Sequence, residues 1–395
     1  MRALVVAPQP FFSPRGTPFS VYYRTLVTAQ LGVQIDLVTY GQGDDVDIPG
    51  VRIVRIPSFA FLGPVPIGPS FLKLFLDVFL SVWTVGLLVR RRYDFVHAHE
   101  EAVFWCWLLK PLFRFRLVYD MHSSLPQQLT NFRFTESRFL IRLFSWLERV
   151  CLANAEAVIT ICPDLRDYAL AQGIPPERHV LIENSIFEDV PVNGCRQRDK
   201  DASAGEDRLI QEALGLGGPV IAYAGTFEAY QGLELLLSAF AQVEKARPDA
   251  RLLMIGGAPP QVEEKRRLAR RLGVEGACVF TGQVSKTRAM ELTARAHVLV
   301  SPRVEGTNTP LKIYEQLASG KPLVATRIWS HTQVLTDDVC ILVDPQPEAM
   351  AAGLLRAIDQ EARLALAARA RALYDRVYSR PAYEAKVRRL LEILP

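Results

Sequence analysis

The pattern that most restricts the fold is an alternation that runs twice along the chain. Short apolar runs of strand length recur through the first half: "RALVVA" (Arg2–Ala7), "QIDLVTY" (Gln34–Tyr40), "VRIVRIP", "DFVHAH" (Asp94–His99), "RLVYDMH" (Arg116–His122) and "AVITIC". Helix-length segments separate them, among them "FSVYYRTLVTAQLG" ending at Gly32, Phe71–Arg92, and Glu136–Ala155. A strand, a crossover helix and another strand can only lie side by side as a parallel pair, so the pattern predicts a doubly wound α/β sheet. A polar stretch rich in Gly, Asp and Arg, residues 189–218, interrupts the pattern. It restarts with "PVIAYAG", "ARLLMIGG", "CVFTG", "HVLVSP", "PLVAT" and "ILVDP", again with helical segments between. The expected organisation is a Rossmann-like domain over 1–188, a linker over 189–218 leading into a short helix, and a second Rossmann-like domain over 219–375. A C-terminal helix, 376–395, is expected to pack back on the first domain, with a break at Pro381. Open sheets of this kind take ligands at the carboxyl ends of their strands, so the expected site is a central cleft that the two domains face.

Composition removes several classes. Hydrophobic residues make up 49% of the chain and charged residues 22%, which is globular rather than disordered. A net charge of +4 is small for 395 residues, which argues against nucleic acid as a partner but leaves room for local basic patches on an anionic membrane. Six cysteines without a C-x-x-C pair read as core residues in a reducing, cytoplasmic compartment. The start "MRALVVAPQP" reads as a first strand rather than a signal peptide. In Phe71–Arg92 the polar residues Lys73, Asp77, Ser81 and Thr84 form one narrow stripe on a helix. A lysine and an aspartate each cost about 2.5–3.5 kcal/mol at a bilayer centre. A helix packed on the first domain is therefore the expectation, with an interfacial membrane helix and a true span as the alternatives. In the segment Glu136–Ala155, Arg138, Arg142 and Arg149 fall near one side of a helix and Leu140, Leu143, Phe144 and Leu147 on another. That pattern serves either packing on the sheet or contact with an anionic leaflet on the inner face of the cell membrane.

The densest chemistry lies in "RVEGTNTPLKIYEQLASGKPLVAT", Arg303–Thr326. Thr309 is placed as N-cap and Pro310 as the first helical residue, so the free amides of that helix start make an anion site. Gly306, Thr307 and Asn308 let the backbone approach a ligand closely. Lys312 lies in the first turn, and Glu315 follows three residues later, about 4.5 Å further along the axis. A cation with helix-end amides suits phosphate, and a carboxylate next to them suits a diol. A nucleotide offers both, while a plain capped helix with a surface Lys–Glu pair is the other reading. A second glycine loop runs from Gly225 to Gly232, and "MIGGAPP" adds a third turn at Gly256. Neither G-x-G-x-x-G nor G-K-[ST] is present in the second loop, so a nicotinamide site and a P-loop are both poorly supported.

With these residues in place the chain resembles the retaining glycosyltransferases of family 4, which have the two-domain GT-B fold. "YAGTFEAYQGLELLLSAF", "LLMIGG", "FTGQV" and "SPRVEGTNTPLKIYEQLASGKPLVAT" stand in that family's order and spacing, and "AEAVITICPDLRDYAL" and "VLIENSIF" are similar to its first half. The resemblance implies a nucleotide-diphosphate sugar as donor, a UDP- or GDP-sugar rather than an ADP-sugar. It also implies a hydroxyl acceptor, lipid-linked where the basic helix meets a membrane, and no cofactor or metal. Glu315 matches the ribose-binding glutamate, Gly225–Gly232 the diphosphate loop, Gly16 a glycine turn by the diphosphate, and His122 a histidine near the donor sugar. Two cations that the family carries in the diphosphate loop are replaced here by Thr226 and Gln231, and Thr307 stands where a second glutamate is usual. Lys312, helped by Arg303, is expected to supply the missing charge, which makes Lys312 and His122 the catalytic candidates. His99 and Glu100 are acceptor-side candidates, and His331 a residue bordering the donor pocket. "DVD" at Asp45–Asp47 reads as a polar loop rather than a metal site. A sugar-nucleotide epimerase and an inactive sugar-nucleotide-binding subunit remain the competing functions.

Overall fold

A computed structural model describes the chain except residues 14–15, 59–62, 64, 67–69, 125–136, 185–186, 188–216, 360–361 and 395. The expected linker therefore lies almost wholly outside the described residues, as do Cys195 and the side chain of Arg138. The chain divides into two compact units, Met1–Asn193 with Arg380–Pro395, and Gly194–Ser379.

Among the described residues the first unit holds seven strands: β1 Arg2–Ala7, β2 Gln34–Thr39, β3 Val51–Arg55, β4 Phe95–His99, β5 Arg116–Met121, β6 Ala157–Thr160 and β7 His179–Leu181. They lie in the order β3-β2-β1-β4-β5-β6-β7, and every pairing is parallel. Helices cover both faces, which is why the strands read as continuous apolar runs. The helices are α1 Gly16–Gln30, α2 Phe71–Arg90, α3 Ala102–Phe113, α4 Arg138–Asn154 and α5 Pro163–Ala171. Alternate residues of β1 feed opposite cores. Leu4 and Val6 join a cluster with Leu76, Leu80 and Tyr119, whereas Ala3 and Val5 join one with Val21, Tyr23 and Val118.

The second unit repeats the plan with β8 Val220–Ala224, β9 Arg251–Ile255, β10 Cys278–Gly282, β11 Val298–Ser301, β12 Leu323–Thr326 and β13 Ile341–Val343, in the order β10-β9-β8-β11-β12-β13. Its helices are α6 Leu233–Ala246, α7 Pro259–Arg271, α8 Lys286–Ala294, α9 Leu311–Ala318, α10 Trp329–Thr332, α11 Pro347–Asp359 and α12 Ala362–Val377. The last helix, α13 Arg380–Glu392, belongs to the first unit, where Tyr383, Val387 and Leu390 complete the core beside α1. Strand order reverses between β1 and β4 and between β8 and β11, the places where such sheets bind ligands.

Helix α2 packs on the first unit, but through the side that holds its polar stripe. Asp77 and Thr84 are buried with Leu76, Leu80 and Leu87. Tyr40 donates to the Asp77 carboxylate at 2.5 Å, and Lys73 Nζ lies 2.9 Å from Glu101 Oε1. The polar groups are thus satisfied inside, and apolar side chains point out.

Candidate active site

In the second unit the turns after three strands are stacked by glycine. Gly225 leaves β8 at φ 151°, and its amide donates to Ile255 O at 3.0 Å. Gly256 leaves β9 at φ 114°, and its amide donates to Gly282 O at 2.9 Å. A Cβ on Gly256 would stand 2.1 Å from the Gly225 carbonyl oxygen, so only glycine permits the approach. The loop after β8 is also joined to the loop after β11: Val304 N donates to Tyr230 O at 3.0 Å.

Lys312 enters this corner from the start of α9. Its ammonium donates to Gln231 Oε1 at 2.8 Å and sits 4.3 Å from the centroid of the Tyr223 ring. The Tyr223 hydroxyl is in turn bonded to Thr226 O at 2.6 Å. Burial, and then the nearby Arg303 guanidinium, push the Lys312 ammonium down to about 7. Arg303 lies over the Tyr230 ring at 5.1 Å and donates to the backbone carbonyls of Glu305 and Asn308. Among the described residues neither cation is ion-paired. Two cations brought together without a counter-charge, at the strand-order reversal of a parallel sheet, make a place for an anion.

The other expected residues fall as follows. The N-cap of α9 is Pro310, not Thr309. The helix starts one residue later than its sequence reads because Pro310 keeps an extended ψ of 136°, and the buried Thr309 hydroxyl has no hydrogen-bond partner among the described residues. Thr307 O accepts from Gln333, and Thr226 is exposed. Glu315 diverges from Lys312 and is exposed, with Oε1 3.5 Å from Lys286 Nζ. His331 does not border an open pocket. It is fully buried between β11 and β12, with Nε2 3.0 Å from Ser301 Oγ and Nδ1 2.8 Å from Thr326 O, and burial drives it down to about 4.

In the first unit the register of β4 on β5 sets His99 against Asp120 and His97 two residues earlier on the same side. The Asp120 carboxylate is completely buried and ion-paired with Arg24. His97 Nε2 stands 2.9 Å and His99 Nδ1 3.2 Å from Asp120 Oδ2, and His122 Nε2 is 3.3 Å from Oδ1 and 3.1 Å from His99 Nδ1. Burial opposes the Asp120 charge, but Arg24 and the histidines outweigh it and hold the carboxyl well below its usual range. Burial keeps His99 well below 6.5 and lowers His122 to about 4, so both rings are neutral at pH 7.

His97, His99 and Asp120 bring one ligating atom each within 4.8 Å of the others, a donor set that suits a divalent metal. Asp120 Oδ2, the oxygen that both His97 and His99 approach, already receives the fixed positive charge of Arg24, so the cluster reads as a hydrogen-bonded network. The sequence reading missed Arg24 and Asp120. The signal was a charged residue in the interior of each of two regular segments, Arg24 in "FSVYYRTLVTAQLG" and Asp120 in "RLVYDMH". Glu100 follows β4 at φ 49°, and burial lifts its carboxyl to about 7. Gly16 is the exposed first residue of α1, and Asp45 pairs with Arg55 on the surface.

Two family models match the chain, one in each unit: Glycosyl transferase 4-like domain over residues 24–185 and Glycosyl transferases group 1 over residues 218–360. The chain is 24% identical over 331 residues to D-inositol 3-phosphate glycosyltransferase of Corynebacterium aurimucosum, spanning 76% of this chain and 72% of that protein. Sucrose-phosphate synthase from Thermosynechococcus elongatus superposes with a TM-score of 0.73 at 20% identity, over 99% of this chain and 98% of that one. Anabaena Alr3699/HepE, solved in complex with UDP-glucose, superposes with a TM-score of 0.68 at 16% identity over 99% of both chains. With one family model on each doubly wound unit and GT-B neighbours along its whole length, the chain belongs to the group 1 glycosyltransferases and is a glycosyltransferase of the GT-B fold.

Proposed function

We propose that the enzyme moves a sugar from a nucleoside-diphosphate sugar, a UDP- or GDP-sugar, to a hydroxyl of its acceptor with retention of anomeric configuration. Assembly of a surface glycan, glycolipid or polysaccharide on the cytoplasmic side of the membrane is the setting this reading favours. The observation that carries it is the unpaired Lys312–Arg303 couple, held against the glycine turn at Gly225. The UDP-glucose complex of the Anabaena neighbour supports the uridine form of the donor.

In this reading the bond from the anomeric carbon to the β-phosphate oxygen breaks and the acceptor oxygen bonds the same face. The acceptor's proton passes to the departing diphosphate. Negative charge therefore grows on the diphosphate, where Lys312, Arg303 and the amides at the start of α9 stabilise it without rearranging. Glu315, exposed at the next turn, is assigned the ribose hydroxyls, with Lys286 as the group it releases. His122 is assigned to the sugar side. Its neutral ring, fixed by Asp120 and His99, offers a hydrogen bond without adding charge. Thr307, Asn308 and Thr309 line the phosphate loop. His99 and Glu100 are kept for the acceptor.

The test is nucleotide release from a panel of UDP-, GDP- and ADP-sugars with the wild type and Lys312→Met. Losing one charge-stabilising donor costs about 2.7–4 kcal/mol, so kcat/KM should fall about a hundredfold or more with the circular dichroism spectrum unchanged. An unchanged kcat/KM for Lys312→Met would remove the reading. Conversion of the donor without any acceptor would favour epimerisation instead.

A further inference from the structure

We infer that the layer formed by α2, α3 and α4 of the first unit is a docking surface for an anionic lipid bilayer. The inference is independent of the donor reading, because it rests on the outward side of the three helices and is tested without turnover.

Helix α2 is built inside out. Its inward side carries Asp77 and Thr84 with Leu76, Leu80 and Leu87, and these polar groups have partners within the unit. Its outward side carries Leu74, Val78, Val82 and Val89, spaced four or seven residues apart on one side of the helix, and Val78 and Val89 are 62% and 70% exposed. A surface helix of a soluble protein normally shows the reverse. Helix α3 packs beside α2, and α4 beside α3. Each adds exposed apolar side chains, α3 with Leu108 and Leu112 and α4 with Phe139, Leu143 and Trp146, of which Leu112 and Phe139 are each 73% exposed. Exposed apolar side chains gathered on three helices that pack side by side are more than the singly scattered ones of an ordinary monomer.

Charge selects the occupant. The only acidic residues in α2, α3 and α4 are Asp77 and Glu148, and both are buried. Glu148 is held there by Ser124 and Tyr168. Among the described residues, the outward side of these three helices therefore presents no carboxylate. It does present arginines: Arg90 and the following Arg92 at the end of α2, and Arg142 and Arg149 on α4, where they lie within a quarter turn of Trp146 and Phe139. All four are exposed, and among the described residues none of them makes an ion pair. Apolar side chains flanked by cations, with a tryptophan among them, match the interface of an anionic leaflet. Two copies meeting through this layer would face arginines with no acid to receive them. Helix α2 is long and apolar enough to cross a membrane, but its inward stripe is tied to Tyr40 and Glu101, so it lies along the surface instead.

The experiment is co-sedimentation of the full chain with vesicles of phosphatidylcholine alone and of phosphatidylcholine mixed with phosphatidylglycerol. The wild type is expected to pellet with the mixed vesicles, to bind the neutral ones more weakly, and to be released by high salt. Val78→Asp with Val82→Asp should abolish pelleting while the thermal transition stays in place, because both side chains already face water. Arg142→Gln with Arg149→Gln should weaken binding to the anionic vesicles by about twenty-fivefold, at about fivefold per cation, and leave the neutral ones unaffected. Three results would each overturn the inference: a wild type that stays in solution with anionic vesicles, a Val78→Asp/Val82→Asp variant that pellets like the wild type, or a wild-type dimer that this variant dissociates, which would make the layer an interface between copies. Resistance of the native membrane-bound protein to alkaline carbonate would also overturn it, in favour of α2 as a span.

Discussion

Lys312 is a lysine whose surroundings oppose its charge until an anion arrives. With its pKa pushed down to about 7, by burial first and Arg303 second, it is partly neutral in the free enzyme. A bound diphosphate restores the missing fraction of the proton, so binding near pH 7 takes up part of one and above pH 7 approaches one. The sign follows from linkage: nucleotide affinity is highest below pH 7 and falls above it, by at most about tenfold per pH unit. Calorimetric titration of UDP at several pH values should show that slope for the wild type and a flat profile for Lys312→Met. The histidine network gives a second pH effect. Because His122 falls from 6.5 to about 4 on folding, the unfolded chain binds that proton first as pH drops. Its contribution is intact above pH 6.5 and declines toward pH 4, by about 2 kcal/mol at pH 5 from His122 alone. Asp120 works the same way but at lower pH, below the ordinary carboxylate range. Denaturant unfolding at pH 7 and pH 5 checks the difference, and equal midpoints would contradict it. Lys312 was legible from its place beside a helix start. Arg24 and Asp120 were not, because a buried ion pair leaves no spacing in the sequence when its partners lie 96 residues apart.

At the level of elements, the glycine turns act as a set. Gly256→Ala puts a methyl 2.1 Å from the Gly225 carbonyl oxygen and requires left-handed φ of a residue with a side chain. We expect a loss of about 1–3 kcal/mol of stability, and a weaker grip on nucleotide because the displaced strand end is the one that holds Gly225 beside Lys312. Thermal melting and UDP titration of the variant measure both effects. Strand and helix assignments were largely legible, since both sheets are parallel and covered on both faces, which turns each strand into an apolar run. The orientation of α2 was not. Its periodicity marks a polar stripe, but whether that stripe faces water or the core depends on Tyr40 and Glu101, which reach it from other elements. The same limit applies to α9, whose start moved by one residue through the backbone conformation of Pro310.

At the level of the whole molecule, the last helix of the chain belongs to the first unit. Tyr383, Val387, Leu390 and Leu394 lie in the core beside α1, and Tyr383 reaches the Arg24 guanidinium. Ending the chain at Ser379 should therefore destabilise the first unit, at about 1.5–3 kcal/mol for each buried aliphatic side chain lost, while the second unit keeps its own core. Limited proteolysis that cuts the first unit and spares the second is the expected result, and equal resistance of both would contradict it. The sequence by itself determined the two doubly wound units, the family, and the loops that gather at the strand-order reversal, because these depend on periodicity and on glycine, proline and lysine at fixed local spacing. The tertiary structure alone decided that Gln231 and Tyr223 receive Lys312, that Asp120 collects three histidines and an arginine, and which side of α2 meets the solvent. Each of those depends on side chains from distant segments meeting in a low-dielectric interior, where partners rather than neighbours in the chain set charge and orientation.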